Sequence, residues 1–238
     1  MKCKALIISL KGTKLSKREQ ILLSIEKPWG VILFRRNLKS FLRIRKLTND
    51  IKRLTKNKNF PIIIDEEGKD VSRLRGVITH NISANFFGDL FKVNKKFCLK
   101  LLKHYINSLS KTLKSFGINV NTIPVVDVLR ENTNYVIGNR SFSKDKKIVK
   151  KLGAFTVKYL HQNKISGIIK HIPGHGASLS DSHKKLPKIS LNLKQLNNID
   201  FYPFKSSEAK LAMTAHILYS KLDHKNPATL SKKIIRNI

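Results

Sequence analysis

Short apolar runs along this chain alternate with longer stretches in which apolar residues recur every three or four positions. The short runs fall at residues 5–10, 30–34, 60–64, 118–128, 166–169 and 211–216. Their length and their Ile, Val and Leu content read as strands buried on both faces. Between them the period changes. Ser16-Lys17-Arg18-Glu19 has the form of a capping box, with Ile21, Leu22 and Ile25 following on one side. Phe41, Ile44, Leu47, Ile51 and Leu54 make a helical stripe, as do Phe97, Leu101, Tyr105, Leu109, Thr112 and Phe116, and then Ile148, Leu152, Phe155 and Tyr159. Such stripes are core-facing helix surfaces. Strands that alternate with helices predict an α/β fold with a parallel sheet.

Several of these strands end in polar residues: Asp65 and Glu66, Asp127, Lys170 and His171, and His216. Polar groups gathered at the carboxyl ends of parallel strands are the mark of the catalytic face of a TIM (β/α)₈ barrel. Six strand–helix units are legible, against the eight of a complete barrel. The expectation is an incomplete barrel, one domain over residues 1–238, without its last two units.

Composition changes this picture little. Two cysteines, Cys3 and Cys98, far apart and outside any Cys-x-x-Cys pairing, suggest neither a disulfide framework nor a thiolate metal site. Lys11 interrupts the apolar start, and no small-residue cleavage site follows, so a signal peptide is not expected. No run has the length of a membrane span. A soluble protein of the cytoplasm is the expectation. With 48 basic against 15 acidic residues the net charge is +33, which permits nonspecific binding to polyanions. The lysines are spread over every helix face and lack the interleaved aromatics that stack single-stranded bases. A basic nucleic-acid-binding protein is therefore only the competing reading from another class, and no specific nucleic-acid partner is expected.

The densest chemistry lies in Lys170-His171-Ile172-Pro173-Gly174-His175-Gly176, followed by Asp181-Ser182-His183. Pro173, Gly174 and Gly176 rule out a helix here, so the histidines sit on a loop at the end of a buried strand. A metal site of His171, His175, Asp181 and His183 is conceivable. The segment nevertheless has a metal-free explanation.

It resembles the signature of the bacterial β-N-acetylglucosaminidases of glycoside hydrolase family 3, Lys-His-Phe-Pro-Gly-His-Gly, a spacer, then Asp-Ser-His. Ile172 replaces Phe, and the spacing to His183 matches. The likeness extends over nearly the whole chain: Gly30 to Asn37, Ile64-Asp65-Glu66-Glu67-Gly68 with Val71 to Leu74, Pro124-Val125-Val126-Asp127-Val128, Ile137-Gly138-Asn139-Arg140-Ser141, Ala215-His216-Ile217, and Pro227 to Ser231. The resemblance implies retaining hydrolysis of terminal β-linked N-acetylglucosamine from peptidoglycan fragments, without cofactor or metal. Asp65, Arg73, Arg140, Lys170 and His171 would bind the sugar. His183 would be the general acid/base and Asp181 its partner. Asp127 is read as holding the loop, and His175 as packing within it. Lys69 and Asp70 depart from the pattern, standing where the family has Gly-Arg, and Thr214 stands where Pro often precedes Ala-His. The family's nucleophile, an Asp on the seventh strand's loop, would lie beyond Ile238. The expected partner is therefore a peptidoglycan-derived sugar, joined by a complementary C-terminal segment if the chain is one half of a split enzyme; the alternative is a truncated, non-catalytic remnant.

Overall fold

The computed structural model describes residues 3–131, 133–180, 185–205 and 207–237. Its strands are β1 (Lys4–Ser9), β2 (Pro28–Leu33), β3 (Ile62–Ile64), β4 (Val120–Asn121), β5 (Ser166–Ile172), β6 (Lys188–Ile189), β7 (Leu211–Thr214) and β8 (Leu218–Tyr219). Its α-helices are α1 (Lys17–Ile21), α2 (Phe41–Leu54), α3 (Ala84–Val93), α4 (Lys95–Ser115), α5 (Lys146–Gln162), α6 (Leu193–Asn198) and α7 (Lys232–Asn237). Six strands form one sheet in the order β1-β2-β3-β4-β5-β7, and every neighbouring pair is parallel. That order never reverses. A doubly wound sheet reverses at its switch point, whereas a (β/α) barrel keeps strands in chain order. The fold is thus an incomplete barrel, as expected. Among the described residues β1 and β7 each have a sheet neighbour on one side only.

Strand alternation sorts the apolar residues into two layers. Val31, Leu33, Ile62, Ile64 and Ile169 face the helices and join the main core with Ile44, Leu47, Leu102, Ile106, Leu152 and Leu160. Ile63, Val120 and Ile168 face the barrel interior, where Trp29, Ile32, Leu211 and Met213 pack on them. The middle strands β2, β3 and β4 are buried or nearly so, while β1 is largely exposed.

The structure corrects several sequence readings. The apolar run 118–128 supplies only two ladder residues, Val120 and Asn121. Pro124 has no N–H for a ladder, so the chain leaves the sheet there and touches β5 through the Val125–Lys170 bridge and a 2.9 Å bond from the Val126 N–H to the Lys170 carbonyl. The strand expected over residues 211–216 ends at Thr214. The buried line of α4 runs through Cys98, Leu102, Ile106, Leu109 and Leu113, one residue round from the aromatic stripe. Small Cys98 lets α3 approach, its thiol 3.1 Å from the Phe87 carbonyl, while Phe97 stays half exposed. In α5 the buried line likewise shifts to Val149, Leu152, Gly153, Thr156 and Leu160. α3 and the β6–β8 ribbon, which packs with Leu196, Phe201 and Ile217 in a satellite cluster, left no expectation in the sequence reading. The capping box of α1 is present: Ser16 and Glu19 each accept from the other's backbone N–H, at 3.3 and 2.7 Å.

Gly88 lets α3 lie directly on the segment after Arg140. A Cβ at this position would come within 1.6 Å of the Phe142 carbonyl oxygen. Gly88→Ala is expected to lower stability by about 2–3 kcal/mol. Urea denaturation checks it through a lower midpoint at unchanged slope.

Candidate active site

β3 delivers three consecutive carboxylates, Asp65, Glu66 and Glu67, each with a different task. Glu66 is fully buried and accepts from the N–H groups of Arg73 and Leu74, both at 2.9 Å, and lies 2.6 Å from His80 Nε2. Its own backbone is held by Asn121, whose amide accepts from the Glu66 N–H at 3.0 Å and donates to the Glu66 carbonyl at 2.9 Å. His80 thus bridges Glu66 to Tyr105, whose hydroxyl lies 3.1 Å from its Nδ1. Burial keeps that phenol protonated, and the Glu66 and Glu67 charges push its pKa higher still. Glu66 thereby folds the loop that returns Arg73 to Asp65.

Asp65 accepts from the Thr122 hydroxyl at 2.5 Å and from Arg73 Nη2 at 3.1 Å, with Lys170 Nζ at 3.5 Å. Burial alone would raise its pKa. The Lys170 charge and the bonds from Thr122 and Arg73 outweigh that and hold it at about 2. Glu67 is deeper. It takes Arg140 as a bidentate fork, Nε to Oε2 at 2.7 Å and Nη2 to Oε1 at 2.9 Å, and Lys170 Nζ at 2.5 Å. Burial pushes its pKa up, but Lys170 and Arg140 prevail and lower it. Lys170, itself buried on β5, also donates to Thr122 at 2.8 Å.

His171 follows Lys170 and turns to a second carboxylate. Its Nδ1 lies 2.7 Å from Oδ2 of fully buried Asp127, which also accepts from the His171 N–H at 3.3 Å and the His175 N–H at 2.6 Å. Against the effect of burial, His171 and His175 hold Asp127 ionised, below the usual carboxylate range. Nδ1 of His171 is therefore the protonated nitrogen, and Nε2 is left for a ligand. Asp127 is close enough to help raise the Arg140 pKa. His175 is buried with its ring 5.6 Å from that of His171, and burial lowers its pKa.

The segment beyond is anchored from outside. The buried Tyr219 hydroxyl donates to the Gly174 carbonyl at 2.5 Å, the Thr133 hydroxyl donates to that of Gly176 at 2.7 Å, and buried Asp200 is ion-paired with Arg130. A Cβ on Gly176 would lie 1.9 Å from the Val128 carbonyl oxygen. Asp181 and His183 lie outside the described residues.

The structure thus brings Asp65, Arg73, Arg140 and Lys170 into one ion network, with His171 beside it on Asp127. His216, just past β7, is exposed. Sequence reading gave Asp127 and His175 their loop-holding roles. It did not single out Glu67, Thr122, Tyr219 or Asp200. For Glu67 a signal existed: it sits two residues past Asp65, inside the same motif. Among the described residues no group of three or more His, Cys, Asp or Glu is placed to hold a metal ion.

The Glycosyl hydrolase family 3 N terminal domain matches residues 3–238. The chain belongs to this glycosyl hydrolase family. Over 230 residues it is 33% identical to Beta-hexosaminidase A of Pseudoalteromonas piscicida, covering 88% of this chain but only 38% of that protein. It is 30% identical over 236 residues to the Beta-hexosaminidase of Nitrosomonas eutropha, covering 98% of this chain and 67% of that one. The crystal structure of NagZ from Neisseria gonorrhoeae in complex with N-trifluoroacetyl-D-glucosamine superposes with a TM-score of 0.90 at 29% identity, over 99% of this chain and 69% of that one. No helix of this family 3 chain is long and apolar enough to cross a membrane, among the described residues.

The low pKa of Asp65 has a consequence for stability. Its contribution is fully present above the unfolded carboxylate pKa, near 4, and is lost as pH falls through about 2. The loss should approach about 2 kcal/mol. Asp65→Asn should flatten the acid limb of a stability–pH profile between pH ~4 and ~2, measured by denaturant midpoints at each pH.

Proposed function

We propose that this chain forms the sugar-binding and acid/base part of a retaining β-N-acetylhexosaminidase that releases terminal non-reducing N-acetylglucosamine from peptidoglycan fragments in the cytoplasm. One observation carries the reading: ionised Asp65, Arg73 with a free donor, Arg140 and the Asp127-held imidazole of His171 gather at the carboxyl ends of β3, β4 and β5. That is where a (β/α) barrel builds its active site. Relatives named beta-hexosaminidases, and a superposable structure solved with an N-acylated glucosamine, support the substrate class.

In this reading Asp65 accepts from sugar hydroxyls, and Arg73 and Arg140 donate to sugar oxygens. Lys170 fixes the carboxylates from behind, and His171 Nε2 meets a ring hydroxyl. His183, oriented by Asp181, protonates the departing glycosidic oxygen and later deprotonates water, as an imidazole of near-neutral pKa can. A carboxylate nucleophile completes retaining hydrolysis. We infer that it comes from a complementary C-terminal segment, carried on the same polypeptide or another, that adds strands beside β7. The half-exposed residues of β7 and the exposed ones of β1 are the surfaces such a segment would cover.

Two outcomes test this. Residues 1–238 alone should turn over an aryl N-acetyl-β-glucosaminide at least ~10⁴-fold more slowly than the same chain mixed with a segment supplying two further strand–helix units, since losing one member of a catalytic unit costs about that much. Robust turnover by residues 1–238 alone would overturn the assignment of the nucleophile. Separately, His183→Ala should remove activity from the reconstituted enzyme while leaving N-acetylglucosamine affinity nearly intact, and His171→Ala should weaken that affinity by about tenfold, one lost hydrogen bond to a polar ligand.

A further inference from the structure

The cations of the site are held by carboxylates inside a strongly basic molecule. Asp65 pairs with Arg73 and Lys170, Glu67 pairs with Arg140 and Lys170, and Glu66 and Asp127 lie against His80 and His171. The chain as a whole carries +33. A buried arginine beside a buried lysine, in a molecule of that charge, makes a receptor for a carboxylate or phosphate. Here the receptor is already filled from within. Both Oε atoms of Glu67 lie on the Nε/Nη2 fork of Arg140, and Nη1 donates to the Val136 carbonyl at 2.8 Å. The Lys170 ammonium has three N–H groups and three acceptors around it, Glu67, Thr122 and Asp65. The Nε/Nη2 fork of Arg140 and the Lys170 ammonium are thus taken, and the N–H groups left on the Arg140 Nη atoms can serve single contacts. Among the described residues, Arg73 Nε and His175 Nδ1 are buried at the site without a protein partner, and His171 engages Asp127 through Nδ1 rather than Nε2. Single contacts of that kind suit a hydroxyl or an acetyl carbonyl.

We propose that Glu67 is a specificity-determining residue: by occupying the Arg140 fork and the Lys170 ammonium, it selects uncharged N-acetylhexosamine and closes the site to sugars bearing a carboxylate. This rests on the sugar-site reading given above. Replacing Glu67 by a neutral isostere weakens its hold on the fork and makes the cluster one charge more positive. Replacing Lys170 by an apolar residue of similar length makes it one charge more negative. The two changes must therefore move selectivity in opposite directions.

The test is calorimetric titration of the full chain with two probes, methyl N-acetyl-β-glucosaminide and its C6-carboxylate counterpart. Wild type is expected to favour the neutral probe by about tenfold or more. Glu67→Gln should shift the ratio toward the acidic probe by about tenfold or more, and Lys170→Met should shift it the other way. Glu67→Asp should keep the wild-type ratio while weakening both probes. If Glu67→Gln does not fold, as read by circular dichroism, the direction of the Lys170→Met shift decides. Equal affinity of wild type for both probes, or a ratio unmoved by either charge change, overturns the proposal and leaves Glu67 a scaffold residue. Failure of wild type to bind the neutral probe at all overturns the sugar-site reading instead, and this inference with it.

Discussion

Everything at the carboxyl end of this sheet depends on the requirement that buried charges be paired. Lys170 is taken out of water on β5, and an isolated ammonium there would carry a penalty of several kcal/mol. It is tolerable because Asp65 and Glu67 arrive from β3 and Thr122 from the end of β4. Those carboxylates in turn need cations, and Arg73 and Arg140 reach them from two loops. Each loop then has its own support: Glu66 and His80 beneath Arg73, the close seat of α3 on Phe142 beside Arg140. The sheet brings the strand ends together, and the charges decide which loop conformations are admissible around them.

The same logic explains what could be read from the chain and what could not. The strands of the sheet were legible because apolar runs of that length have few other uses, and the polar residues at their ends announced the site. Asp65, Arg140, Lys170 and His171 stood inside fixed-spacing motifs and were found there. Glu67 was missed because a carboxylate next to two others looks like part of a polar turn. Its role appears only when Arg140 and Lys170, remote in sequence, converge on it. Tyr219 and Asp200 were invisible for a similar reason: they come from a satellite cluster that packs on the Gly174 loop and belong to no motif. The rotated faces of α4 and α5 show another limit. Periodicity reports that a stripe exists, but large aromatics such as Phe97 and Tyr105 sit at its border, while Cys98, Ser110 and Gly153 take the closest contacts.

The large positive charge changes meaning against this background. Of the acidic residues, Asp65, Glu66, Glu67, Asp127 and Asp200 serve the site or the loops around it. These are five of the 15 acidic residues of the chain. Salt should alter how the molecule meets other molecules more than how it holds a ligand, since the screening length in ordinary buffers is on the order of 10 Å and the site's pairs are in contact and buried.

The two-sided pairing of the middle strands has a mechanical counterpart. Among the described residues β2, β3, β4 and β5 each have sheet neighbours on both sides, whereas β1 and β7 have one. Local opening free energies rise with such enclosure, so rigidity should be graded across the sheet, greatest at its centre and least at its margins. The described site residues all spring from β3, β5 and the loops that follow β3 and β4. A catalytic constellation must be held to within about 0.5 Å of its productive geometry. The described residues of the candidate site thus stand on strands enclosed from both sides, away from the margins of the sheet where fraying begins.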